Sequence, residues 1–414
     1  MKRFLLAALC GALLLCSCTF AIAEVLSESV SEPAPAPESA APAGDESREE
    51  EVGEEEPGIA TVYVPDESLG PEETVEAYFE QLYYSYISFS DIDLSSIVDM
   101  EQRTNRTAEV WMQLHNQRRR LIRENGYCYV EAEMYPYTIT YIEEEELADP
   151  RMVTIREQAL IPEENLILHL VLTGEPGRAY PPMMAMNTQH TFGLRQVAGE
   201  WKITYQYFTG SHRKFGRYNF LKTYTDEEVL AQLEEEFAAF SSPPGAAIPP
   251  GAKRYDGSLA AGYALTYGET PNEAFYNVGD WMGNCMNFVS QCVWFGFGDG
   301  SMPSIYGREN MSSNWYGGEG GGNSAWENVE YFWEEITRPG GLSGTELEGI
   351  TALREGDIIQ TMARIGTADE RFSHTLIVVD ADTLLLAQNS PACFVYYSDL
   401  VNVHTRFVRP DYVQ

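Results

Sequence analysis

The stretch Asn284-Cys285-Met286-Asn287-Phe288-Val289-Ser290-Gln291-Cys292-Val293 decides how the C-terminal part of this 414-residue chain is read. Phe288, Val289, Cys292 and Val293 fall at i, i+1, i+4 and i+5, which is one face of a helix. The preceding Gly279-Asp280-Trp281-Met282-Gly283 is loop-like, so the helix starts near Cys285. Unpaired backbone N–H groups and the positive end of the helix dipole converge at such a start, and both favour a thiolate over a thiol. The same N–H groups can hold a developing oxyanion. Asn284 and Asn287 read as organisers of this helix start. Cys292, two turns on, points into the core and reads as a small buried hydrophobe.

A nucleophilic sulfur needs a base, and beyond residue 252 only His374 and His404 occur. His374 opens the strand Ser373-His374-Thr375-Leu376-Ile377-Val378-Val379, and Leu384-Leu385-Leu386-Ala387-Gln388-Asn389 returns beside it. A symmetric turn centred on Ala381-Asp382 sets His374 opposite Asn389, whose amide would fix the tautomer and orientation of the ring. A slip by one residue would set Gln388 there instead. The candidate catalytic residues are therefore Cys285, His374 and Asn389, with Asn284 and Gln388 as support. His404 reads as a packing or surface residue.

These residues resemble the signatures of the bacterial putative amidase domain family, which groups with papain-like, CHAP and NlpC-type cell-wall hydrolases. Cys285-Met286-Asn287-Phe288-Val289-Ser290-Gln291 is similar to its Cys-Thr-Asn-Phe-Val-Ser-Gln motif. Tyr255 to Tyr267 resembles its opening helix, Ser324-Ala325-Trp326 the Ser-Trp that precedes its next one (here Val329 to Ile336), Gly356-Asp357 a strand entry, and Ser373-His374 the base strand. Asn284 stands where the family usually has Asp, Met286 where it has Thr, and Asn389 where it often has His. The resemblance covers the last ~160 residues. It implies a helix packed on an antiparallel sheet, with acyl transfer through Cys285 and His374 between them. The implied substrate is a cell-wall peptide or another extracellular amide, and the chemistry requires neither metal nor cofactor. A catalytically silent surface-binding protein that keeps this module for recognition is the competing expectation.

Working outward, Ser241 to Gly251 (SSPPGAAIPPG) is the clearest linker, so 241–252 divides a C-terminal 253–414 domain from an earlier 71–240 domain. The earlier domain reads as helices followed by antiparallel strands. One helix runs from Pro71 through Tyr86 and another from Thr107 to Glu124, where the Arg118-Arg119-Arg120 run serves the C-terminal dipole. Strands are expected at Tyr127–Ile142, Leu166–Thr173, Thr191–Val197 and Trp201–Tyr205, and a final helix at Asp226–Phe240. This α+β order resembles nuclear-transport-factor-like or cystatin-like domains. The glycines at 317, 318, 320, 321 and 322 read as a loop.

The first 23 residues read as a signal peptide, with Lys2 and Arg3, an apolar run, and Ala21-Ile22-Ala23 as the cleavage site. Leu15-Cys16-Ser17-Cys18 also resembles a lipoprotein signal, which would tether the chain to a membrane through Cys18. Export is expected by either route. Residues 24–70 form a disordered Pro-rich acidic spacer, in which Asp45 to Glu56 alternates only one Arg with its carboxylates. A net charge of −36 argues against nucleic-acid partners. Four cysteines beyond the signal, Cys128, Cys285, Cys292 and Cys393, have neither disulfide-framework nor zinc-site spacing.

Overall fold

Hydrophobic periodicity places the first helix correctly in the computed structural model, where α1 spans Pro71–Ser88. The model describes residues 69–101, 106–128, 133–148, 165–175, 178, 180–181, 183–208, 226–238, 244–277, 283–302, 308–363, 371–389, 392–400 and 404–414. The signal-peptide reading, and all but two residues of the 24–70 spacer, lie outside them. Pro71 at the first helical position and Glu72 and Glu73 in the first turn suit the N-terminus of α1. Its buried face (Val75, Tyr78, Phe79, Leu82) packs on Phe192 and Leu194 of a four-stranded antiparallel sheet. The strands are β1 (Tyr137–Ile142), β2 (Leu166–Gly174), β3 (Thr188–Val197) and β4 (Glu200–Phe208), hydrogen-bonded in sequence order. The Ala198-Gly199 turn expected between the last two is present, and both residues have positive φ.

The second helix, α2 (Thr107–Glu124), has the expected bounds, but its arginines have another task. Arg118 to Arg120 lie upstream of the last turn, where the only basic residue is Arg123. Arg118 and Arg119 are buried. The guanidinium of Arg119 lies 3.8 Å from the ring centre of Phe89, and that of Arg118 lies 5.3 Å from Tyr397. Arg118 also donates to the carbonyl of Leu400. Only Arg120 is surface-facing, paired with Asp91 at 3.0 Å. Local dipole reasoning could not see that the helix passes beneath another part of the chain.

The α3 helix (Asp226–Glu236) is shorter than expected and lies beside α2. The expected strand at Tyr127–Ile142 is also shorter, because its start bonds elsewhere. Tyr127 Oη donates to Ile350 O at 3.3 Å and Cys128 N to Asp382 O at 2.9 Å.

The C-terminal part is α+β. After β5 (Lys253–Arg254) come α4 (Gly257–Tyr267), α5 (Cys285–Gly296), α6 (Ser324–Glu327) and α7 (Val329–Ile336). Then follow β6 (Leu342–Leu347), β7 (Ile358–Ala363), β8 (Arg371–Asp380), β9 (Leu385–Gln388), β10 (Cys393–Tyr396) and β11 (Thr405–Val413). They form one antiparallel sheet in the order β10-β9-β8-β7-β11-β5, with β6 also paired to β11. Asp256 caps α4 by accepting from Ser258 N and Leu259 N, and Asn328 caps α7 through Glu330 N and Tyr331 N.

This sheet is covered on both sides. Ile358, Ile377, Val379 and Ala387 join Phe288, Val289 and Cys292 of α5 in one core. Ile359, Leu376, Val378 and Leu386 join Ile122 and Phe237 of the N-terminal half in another. The alternation along β8 is the period of two expected of a strand buried on both faces. Polar groups complete the second contact. Glu236, at the end of α3, accepts from Tyr397 Oη and, at 2.9 Å, from Thr405 Oγ1, while His115 bonds Ser398 O at 2.9 Å. Burial and the nearby Arg119 push His115 down to about 3, so it stays neutral.

Candidate active site

Helix α5 begins at Cys285, as its sequence period predicts. Gly283 enters it at φ +82°, a left-handed conformation that glycine adopts without the penalty of a Cβ. Asn284 is the N-cap, yet its side chain makes no capping bond. The first-turn N–H groups are consequently left for other acceptors, and that of Met286 bonds the Cys285 sulfur. A second backbone donor comes from Thr375 in β8, and the third partner is the His374 ring.

These contacts decide the state of the thiol. Burial, with only 6% of Cys285 exposed, raises its pKa. The His374 hydrogen bond, the charge of His374 and the N–H groups of Thr375 and Met286 act in the opposite direction and prevail, so the thiol lies below its ordinary value. Sulfur and imidazole, 89 positions apart in the chain, are therefore neighbours.

His374 is half-buried, and a bulge beside it breaks the β7–β8 register: Thr361 pairs with His374 but Met362 with Phe372. Bulges of this kind alter the aim of adjacent side chains. The ring's Nε2 lies 2.6 Å from Gln388 Oε1, leaving Nδ1 for the sulfur. Gln388, rather than Asn389, thus holds the histidine. The turn is not symmetric. Val378 pairs with Leu386 but Asp380 with Leu385, and Leu384 has φ +53°. The extra residue moves the register by one, and because side chains alternate faces this exchanges Gln388 for Asn389.

Asn389 instead belongs to a chain of amides behind the helix start. Trp326 Nε1 donates to Asn287 Oδ1 at 2.7 Å, and Asn287 Nδ2 donates to Tyr276 O at 2.6 Å and to Asn284 Oδ1 at 2.8 Å. Asn284 Nδ2 in turn donates to Asn389 Oδ1 at 3.3 Å. An indole N–H can only donate and a carbonyl can only accept, so the direction of the whole chain is fixed from its ends. Asn284 and Asn287 thus tie the α5 start to Asn389, Tyr276 and Trp326.

Sequence reasoning missed Thr375, whose backbone donor depends on strand placement, and Cys393, whose sulfur accepts from Gln388 Nε2 at 3.2 Å. It also missed the task of the glycine-rich loop. A Cβ at Gly317 would fall 2.3 Å from Trp326 Cε2, and one at Gly322 would fall 2.5 Å from Trp326 Cδ1. The loop lies directly on the indole that anchors the amide chain. Trp326 itself is fully buried, and its Ser324-Ala325-Trp326 context was the available signal.

All four described cysteines are free thiols. Among the described residues no three of His, Cys, Asp and Glu converge as a metal site. Residues 254–406 match the family model described as "Putative amidase domain". That is the family whose signatures the sequence resembles, and the match supports a hydrolase acting on amides. No curated protein and no solved structure matches the chain.

Proposed function

We propose that the protein is an exported cysteine amidase that hydrolyses peptide amides of the cell wall, with Cys285 as nucleophile and His374 as base. The hydrogen bond between Cys285 and His374, at a helix start where the thiol is held below its ordinary range, carries the proposal.

In the reaction the Cys285 thiolate attacks the carbonyl carbon, forming a C–S bond while the carbonyl π electrons move to oxygen. Backbone N–H groups at the α5 start stabilise this oxyanion. His374, protonated at Nδ1, delivers that proton to the leaving amine as the C–N bond breaks and a thioester forms. Water then gives a proton to Nδ1 and its oxygen to the acyl carbon, releasing a carboxylic acid and regenerating the pair. Gln388 Oε1 keeps the ring oriented by accepting from Nε2 throughout.

The sequence features of an N-terminal export signal support a substrate outside the cytoplasm, and a lipid on Cys18 would hold the enzyme at the membrane surface. The test is incubation of the full secreted chain with purified wall fragments, following new free amines. Cys285→Ala should abolish their appearance while leaving folding intact. Binding of wild-type protein to the fragments without any new amine would instead establish the silent recognition reading.

A further inference from the structure

We infer that Cys393 is a positioning residue for His374, acting through Gln388; this rests on the reading of Cys285 and His374 as the catalytic pair. Cys393 and Gln388 are directly opposed in the β9–β10 register. The amide of Gln388 spans the gap between them, with Oε1 at 2.6 Å from His374 Nε2 and Nε2 at 3.2 Å from Cys393 Sγ. Cys393 is buried and Gln388 is half-buried, so solvent does not freely substitute for either partner.

The chemistry of the amide gives this arrangement its meaning. A primary amide offers an acceptor at one end and donors at the other, and turning it over exchanges them. When His374 carries a proton on both nitrogens, its Nε2 can only donate, so Gln388 must present Oε1. The amide plane then directs N–H at Cys393, whose sulfur accepts. With His374 neutral and its proton on Nδ1, the amide would have to turn over, giving up the N–H···S contact made here for an S–H···O contact in which a thiol is a weak donor. The sulfur of Cys393 therefore favours the thiolate–imidazolium state by giving the Gln388 N–H a partner in that state. A buried donor stripped of its acceptor is costly, which is why a weak sulfur acceptor matters at this position.

A thiol that merely fills space makes a different prediction, and the two separate by experiment on the full chain labelled with 15N-histidine. The His374 signal is identified by its loss in His374→Gln. In the parent, His374 should carry its neutral-state proton on Nε2. Cys393→Ala should populate both tautomers and lower kcat roughly tenfold with KM unchanged, the scale of a buried donor left without its acceptor. Cys393→Ser, which restores an acceptor, should return both to within about twofold of the parent. If Cys393→Ala does not fold, Cys393→Val supplies the volume without the acceptor and should behave as described for Ala. An unchanged His374 tautomer in folded Cys393→Ala or Cys393→Val would overturn the inference. Failure of the amidase reading gives a separate signature: Cys285→Ala leaves any hydrolysis untouched, while the tautomer change in Cys393→Ala persists.

Discussion

Cys285 and Cys292 lie seven residues apart on one helix, both in a hydrophobic core, and their thiols are driven in opposite directions. Cys292 is fully buried, its sulfur donates to Phe288 O in the preceding turn (3.3 Å), and burial pushes its pKa well above the ordinary value. Cys285 is nearly as buried and suffers the same penalty, but it meets an imidazole and two backbone donors. Burial by itself raises a thiol's pKa, and the outcome turns on which donors reach the sulfur. At Cys285 they are His374 and Thr375 from β8, far away in sequence, and Met286 from the helix start.

Removing the donor that matters most should narrow the difference. In His374→Ala, Cys285 loses its leading favourable contact and only the N–H groups of Thr375 and Met286 still oppose burial, so hydrolysis should fall by on the order of 1000-fold. The pH profile of alkylation provides the sign. In the parent, Cys285 labelling should persist below the ordinary thiol range and fall only as pH drops through its own lowered pKa. In His374→Ala that midpoint should rise, and the rate at neutral pH should approach that of Cys292. A midpoint that stays low would break the comparison.

The burial rule seen at Cys292 acts on a base at the interface between the halves, with the opposite direction. His115 is lowered from 6.5 to about 3, chiefly by burial. Below pH 6.5 the unfolded chain takes up a proton there that the folded chain refuses until about pH 3, so stability falls as pH drops across that window. The contribution is on the order of 3 kcal/mol. Denaturant melts at pH 7 and pH 4 should show a smaller pH-dependent loss in His115→Gln than in the parent. Equal losses would remove burial of His115 as the cause.

A smaller effect sharpens the contrast at the Cys285 end. Gln388→Leu leaves His374 Nε2 without its acceptor, and kcat should drop about tenfold with the protein still folded. The matching Asn389→Leu change breaks the bond to Asn284 instead and should appear first in thermal stability. The smallest change belongs to the inert cysteine. Cys292→Ala opens a small void worth about 1–2 kcal/mol of stability and should leave hydrolysis and Cys285 labelling unchanged.

The interface also explains why some local readings missed. From their place in α2 alone, Arg118 and Arg119 read as partners of its dipole. In the fold, Arg118 lies against Tyr397 and Leu400, and Glu236 meets Tyr397 and Thr405. The partners are more than 150 positions away, and no periodicity within α2 or α3 encodes them. The same limitation applies to Cys393, which looks like an ordinary apolar strand residue until its cross-strand neighbour is known.

The amino-acid order alone specified where α1, α2 and α5 begin, that Cys285 occupies a helix start, and that His374 lies on a strand, although β8 begins three residues earlier, at Arg371. These follow from sterics and hydrophobic period within a few turns of chain. Which amide reaches His374, and which backbone N–H reaches the sulfur, was decided only when the strands paired. A single bulged residue between Val378 and Asp380 shifts the register, and with side chains alternating at every position it replaces Asn389 by Gln388. Such a shift depends on how the sheet packs against both halves of the molecule, a cooperative balance that no local stretch contains.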